Sequence, residues 1–177
     1  KKDNEGFIIL KNIIISTIPV IIAGFLVHIN NFDIIRSLEV IGWTTLIFGI
    51  LLGLVDRNLK VKKFFKSLNL KDALAIGIAQ TLAIIPGTSR SGIVITAGLW
   101  MGFSRFDASK YSLLLSIPVI IAATTLESIN FFLEKGFFFN NEMIMGVIFS
   151  FCVSLITIKL FMSWINKASL KIFITFE

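Results

Sequence analysis

The stretch IIPGTSRSGIV, residues 84–94, sets one arginine, Arg90, among hydroxyls and glycines in an otherwise apolar neighbourhood. It joins two short apolar stretches, 73–85 and 92–103. Neither is long enough to cross a ~30 Å hydrocarbon core, which takes about 20 helical residues. Pro86 disfavours helix at Ile85 and lacks a backbone donor. Gly87 and Gly92 permit tight backbone turns. We read 73–103 as a re-entrant helix–loop–helix hairpin that dips to mid-membrane and returns. Irregular backbone is tolerated at that depth only inside protein or beside a wet cavity. Two full crossings would leave the same charges on the same sides, so this reading rests on length and on Pro86.

Working outward, the chain of 177 residues is 55% hydrophobic with a mean hydropathy of +0.88, which excludes an ordinary soluble domain. Spans are expected at about 8–29, 37–55, 108–127 and 143–164, with Pro19 and Pro118 kinking the first and third. The predicted fold is all-α: one polytopic membrane domain over 1–177. A spanning β-barrel would need alternating polarity, which is absent. Arg57, Lys60, Lys62, Lys63, Lys66 and Lys71 crowd into 56–72 and mark the cytoplasmic side. With 73–103 as a hairpin, Lys1, Lys2, Lys11, Arg105, Lys110, Lys167 and Lys171 fall on that side too, and the acidic loop 127–142 faces away. The net charge of +6 is thereby explained by anionic lipid rather than nucleic acid, for which no motif is present.

Other features read as structure. Ser104-Arg105-Phe106-Asp107 has capping-box spacing and starts a helix. Gly49/Gly53 and Gly98/Gly102 are close-packing pairs. Trp43, Trp100 and Trp164 suit interfacial anchors. Cys152, the single cysteine, is expected to be a small buried residue. His28 stands at a span end without a catalytic neighbour. TIPVIIAG (17–24) and SIPVIIAA (116–123) run in the same direction in this topology, so their likeness is taken as coincidence rather than an inverted repeat.

Arg90 needs a partner, because a charge at membrane centre costs at least ~2.5 kcal/mol. Guanidinium binds phosphate bidentately. Thr88, Ser89 and Ser91 offer hydroxyls, and Gly87 and Gly92 leave backbone N–H groups approachable. Gln80 can reach the loop or the ligand. A helix beginning near Ser91 would aim its positive end at the same place. The set describes an anion site at membrane depth, suited to a lipid head group. The alternative is that Arg90 pairs with Glu39 or Glu127 and only locks the hairpin. No Walker loop is present, since no lysine follows the second glycine.

AIGIAQTLAIIPGTSRSGIVITAGLWMGFSRFDASKYSLLLSIP (75–118) closely resembles the signature region of the bacitracin-resistance type undecaprenyl-diphosphate phosphatases. TIPVIIAGFL (17–26) and SLKIF (169–173) resemble flanking parts of that family. The resemblance implies a hydrolase of the bacterial inner membrane. It would remove the terminal phosphate of undecaprenyl diphosphate, recycle the carrier for peptidoglycan synthesis and confer bacitracin resistance. It implies an inverted-repeat fold with a site facing the periplasm and a divalent cation, Mg²⁺ or Ca²⁺. Arg90 would bind the diphosphate, and Ser89 would be a hydrogen-bonding or nucleophilic partner. Expected partners are the membrane, the diphosphate lipid and, in a homodimer, a second copy. The family's paired glutamates and Pro-x-Ser-Ser…His run, which supply metal ligands and acid–base groups, are not found. Glu5-Gly6 imitates only their start. One repeat and one last span are therefore expected to be missing, and this piece alone is expected to be inactive. The alternative function is a transporter or flippase for a phospho-lipid carrier, which needs the anion site without an acid–base pair. Phosphatases with histidine nucleophiles need at least two histidines, and this chain has one.

Overall fold

The computed structural model describes residues 2–30, 37–135 and 140–165. Six α-helices follow in order: α1 (Lys2–Asn30), α2 (Leu38–Arg57), α3 (Leu70–Gln80), α4 (Arg90–Trp100), α5 (Arg105–Lys135) and α6 (Asn141–Ile165). A 3-10 turn, Thr81–Ile84, extends α3. Among the described residues no strand forms, only an isolated bridge between Lys63 and Phe103. Four helices are long and apolar enough to cross a bilayer: Gly6–Val27, Leu38–Arg57, Arg105–Ile129 and Asn141–Ile165, with mean hydropathies of 2.1, 2.0, 1.8 and 2.2. The chain is an all-α membrane bundle. Pro19 and Pro118 lie inside α1 and α5.

The short helices begin where the sequence places oxygen acceptors. Asn69 caps α3 by accepting from Lys71 N and Asp72 N, and Asp72 answers at Asn69 N. Ser104 Oγ accepts from Asp107 N at 3.0 Å and starts α5. Each such bond satisfies a donor that the helix cannot.

Close approach of backbones then seats the hairpin. A Cβ on Gly77 of α3 would stand 2.6 Å from the Ser16 carbonyl of α1. A Cβ on Gly98 of α4 would stand 2.9 Å from Cβ of Ala108 on α5. Between these contacts lies a core of Ile13, Ala73, Ile76, Ile93, Val94, Tyr111 and Leu115. A polar thread runs through it. Ser16 Oγ donates to Ala73 O at 2.6 Å, and the Tyr111 hydroxyl lies 2.6 Å from Ser16 Oγ and 3.1 Å from Asn12 O. Asn12 Nδ2 donates to Leu68 O at 2.9 Å.

Both ends of the α3–α4 hairpin meet the segment that follows α2. Lys62 N and Lys63 N donate to Gly102 O at 2.8 and 2.9 Å, against a turn that Gly102 makes at φ 89°. Lys63 pairs with Asp72 at 2.6 Å. Arg105 Nε donates to buried Asp56. The far end of the hairpin lies beside Thr44 and Thr45, which bond the carbonyls of Pro86 and Gly87. That level is about 20 Å along α2 from Arg57, at 1.5 Å per residue. The tip therefore stands alongside the body of α2 rather than past its end.

Two expectations change. Cys152 is exposed on α6 rather than buried, because α6 leaves its side chains exposed on all faces up to Leu160. Helix α5 continues to Lys135, beyond the expected end of its span. Lys1, Lys167, Lys171 and SLKIF lie outside the described residues, as do the side chains of Lys2, Glu5 and His28.

Candidate functional site

Ile85-Pro86-Gly87-Thr88 forms a type II β-turn. Thr88 N donates to Ile85 O at 3.1 Å, Pro86 holds the second place and Gly87 the third at φ 89°. Only glycine fits the third place here. A side chain would be strained there and would collide with Thr44 Oγ1 and the Ile41 carbonyl. Ser89 then caps α4 by accepting from Gly92 N at 3.2 Å, and Ile93 N donates to Ser89 O at 2.8 Å. Among the described residues, the N–H groups of Gly87, Ser89, Arg90 and Ser91 make no hydrogen bond. Four donors thus cluster at the positive end of an 11-residue helix, with Arg90 as its first residue.

The Arg90 guanidinium is half-buried, and its Nη1 is buried without a hydrogen-bond partner. Among the described residues it makes no ion pair, and Glu39 and Glu127 are exposed. The structural alternative, Arg90 locked to a carboxylate, thus has no support there. The side chain lines a cavity of 390 Å³ walled by Val20, Gly24 and Phe25 of α1, Ala83 and Ile84 before the turn, and Val119 and Leu126 of α5.

None of the other expected site residues lines that cavity. Ser91 faces another, of 740 Å³, lined by Ser109, Ser112 and Leu113 of α5 and by Thr157, Phe161 and Trp164 of α6. Ser89 Oγ lies 3.4 Å from Ser91 Oγ, and among the described residues no carboxylate or imidazole touches it. Gly87 packs on α2, and Gly92 packs on the Ser89 side chain. Gln80 is fully buried, with both amide atoms unpartnered, and Thr88 Oγ1 is buried and unpartnered too. The residue reading missed Thr44 and Thr45, which grip the turn, and the buried serines Ser109 and Ser112. Hydroxyls in an apolar helix were the available signal.

Donors outnumber acceptors at this turn, and among the described residues no three His, Cys, Asp or Glu side chains converge. This chemistry suits an anion, and the class is an α-helical membrane protein whose α3–α4 hairpin presents unbonded N–H groups at its turn. The chain belongs to the bacitracin resistance protein BacA family, whose family model matches residues 1–177. It is 42% identical over 173 residues to an undecaprenyl-diphosphatase of Pelagibacter ubique, covering 96% of this chain and 66% of that protein. It is 40% identical over 158 residues to an undecaprenyl-diphosphatase of Marinobacter nauticus, covering 89% and 60%. A third, from Alteromonas mediterranea, is 40% identical over 165 residues, covering 93% and 62%. The chain spans less than two thirds of the length of these relatives.

Proposed function

We propose that the whole protein hydrolyses undecaprenyl diphosphate to undecaprenyl phosphate and phosphate in the bacterial inner membrane. This would recycle the carrier for peptidoglycan synthesis and confer bacitracin resistance. In this reading α3 and α4 are a re-entrant hairpin, and the turn between them receives the diphosphate at bilayer depth. The observation that carries the reading is Arg90, half-buried at the first position of a helix whose leading N–H groups are unbonded, and without an acid partner among the described residues. Relatives that bear the name of this activity support it.

Water adds to the terminal phosphorus as the anhydride P–O bond breaks; undecaprenyl phosphate leaves with the bond's electron pair, and the proton lost by the water passes to solvent. Arg90 meets charge on the phosphoryl oxygens, and the helix N–H groups share it. Ser89 Oγ accepts from Gly92 N and can turn its proton from the long contact with Ser91 Oγ to a phosphoryl oxygen. Among the described residues, Gln80 and Thr88 keep buried polar atoms without a partner, available to bond the ligand. The divalent cation that the resemblance implies finds no group of three His, Cys, Asp or Glu ligands among the described residues. A homodimer belongs to the same proposal and is checked by native mass spectrometry.

The test is Arg90→Ala in the full-length protein. Phosphate release from a prenyl diphosphate should fall about 10²–10³-fold, as when a developing charge loses a key donor. Arg90→Lys should recover only part, because a point charge cannot reproduce the bidentate fork. Normal turnover by Arg90→Ala would sink the proposal. Movement of a labelled prenyl phosphate across vesicles without phosphate release would favour the transport reading instead.

A further inference from the structure

The two peptide planes at the tip of the turn are both fastened to α2. Thr44 Oγ1 donates to Pro86 O at 2.6 Å, and Thr45 Oγ1 donates to Gly87 O at 3.0 Å. Threonines in apolar helices ordinarily spend the hydroxyl on a carbonyl of their own preceding turn. Thr124 and Thr125 of α5 do so, donating to Ile120 O and Ile121 O at 2.7 Å each. Thr45 does not, and the shortest contact of Thr44 is to Pro86 rather than to Val40 O at 2.8 Å or Ile41 O at 3.1 Å. One proton serves one strong bond, so the hairpin takes it.

Orientation is the consequence. Among the described residues no peptide bond is cis, and in a planar trans peptide the N–H points opposite to the C=O. Anchoring the Pro86 carbonyl on α2 therefore turns Gly87 N–H away from α2. The central peptide of a type II turn can flip to the type I arrangement. The flip would exchange that N–H for a carbonyl oxygen, which repels an anion.

We infer that Thr44 and Thr45 are positioning residues for a phosphoryl anion: their hydroxyls hold the carbonyls of Pro86 and Gly87 against α2 and keep the donor face of the turn toward the ligand. This rests on the anion-site reading of Arg90. Neither threonine touches the ligand; both act through the turn.

The experiment uses the full-length protein in detergent. It measures inorganic pyrophosphate binding by calorimetry, phosphate release from a short-chain prenyl diphosphate, and thermal midpoint. Thr44→Val should lower pyrophosphate affinity and kcat/KM about tenfold, and Thr45→Val about threefold, the scale of one misaimed hydrogen bond at a charged group. Thr44→Ser should restore both to within about twofold, since it returns the same donor. Thr124→Val, which loses only a bond within its own helix, sets the thermal shift for an incidental hydroxyl. A merely structural role would lower the midpoint of Thr44→Val but leave affinity per folded molecule unchanged. That outcome, or failure of Thr44→Ser to rescue, overturns the inference. If Thr44→Val does not fold, Thr45→Val decides by the same criterion. Arg90→Ala separates the two readings. If it binds pyrophosphate normally, the anion site itself is wrong. If it loses binding while Thr44→Val and Thr45→Val keep theirs, only the positioning role falls.

Discussion

The hairpin block of α1, α3, α4 and α5 and the outer helix α6 are both built mainly of apolar residues but are held in opposite ways. The block buries Asn12, Ser16, Gln80, Ser109 and Ser112 and presses glycines against neighbouring backbones. Helix α6 leaves every side chain from Asn140 to Leu160 exposed and joins the bundle only at its last turn, where Phe161, Trp164 and Ile165 meet Leu52, Ile95, Leu99 and Ala108. Lipid tails are as apolar as leucine, so burial alone does not draw membrane helices together. What distinguishes the block is small residues and internal hydrogen bonds. These are also what seats a short, broken helix pair among longer helices.

The largest effect is expected where that comparison is sharpest. Gly77→Val in the full-length protein would drive a side chain into the Ser16 backbone, 2.6 Å from its carbonyl oxygen. Backbone cannot move aside as a flexible side chain can. The cost should be about 3 kcal/mol or more, read from detergent-induced unfolding. A normal unfolding midpoint would mean that α1 and α3 do not touch as described.

Next comes the pair that ties the end of α2 to the start of α5. Asp56→Ala would leave Arg105 without its carboxylate in a partly buried site, whose side chain is 32% exposed. Removing one partner of a fully buried pair costs about 3–5 kcal/mol. Solvent reaching Arg105 should reduce this to about 2 kcal/mol. A double-mutant cycle with Arg105→Ala isolates the coupling, and a coupling near zero would show the pair to be incidental.

The division between these regions also explains what the sequence could disclose. Four apolar helices were legible because length alone marks them, and the turn was legible because Pro86 and Gly87 permit so few backbones. Ser104 announced α5 through its spacing to Asp107. The separation of Arg90 and Ser91 into two cavities was hidden, because neighbouring residues on a helix point about 100° apart and the start of α4 was expected near Ser91. It starts at Arg90, since Ser89 is spent as its cap. Thr44, Thr45 and the Asn12–Ser16–Tyr111 thread were hidden for another reason. Their partners are backbone carbonyls or residues far along the chain, which no local pattern announces. The exposure of Cys152 depended on which neighbours α6 keeps, a tertiary fact.

Tyr111→Phe probes the thread at smaller scale. It removes one hydroxyl shared between Ser16 Oγ and Asn12 O while keeping the ring that packs edge-on to Phe65. Interhelical hydrogen bonds in membrane proteins average about 0.6 kcal/mol and reach about 1.7. The loss should sit near the upper end, about 1–1.5 kcal/mol, because the exposed alternatives of an unfolded chain are replaced here by a dry core. A change below about 0.3 kcal/mol would make the thread a bystander to the packing of Gly77.

The smallest effect belongs to α6. Ile148 is 56% exposed, and the side chains around it on α6 are exposed as well. In a buried site, Ile→Ala leaves a cavity and costs about 2–5 kcal/mol. On a face that meets only lipid, acyl chains flow into the space and no cavity remains. Ile148→Ala in the full-length protein should then cost less than about 0.5 kcal/mol in unfolding free energy. The measurement discriminates strongly because the two environments differ by several-fold for the same truncation. A loss above about 1.5 kcal/mol would mean that protein, not lipid, covers Ile148 in the intact molecule, and the contrast between α6 and the hairpin block would then belong to this chain by itself rather than to the assembled fold.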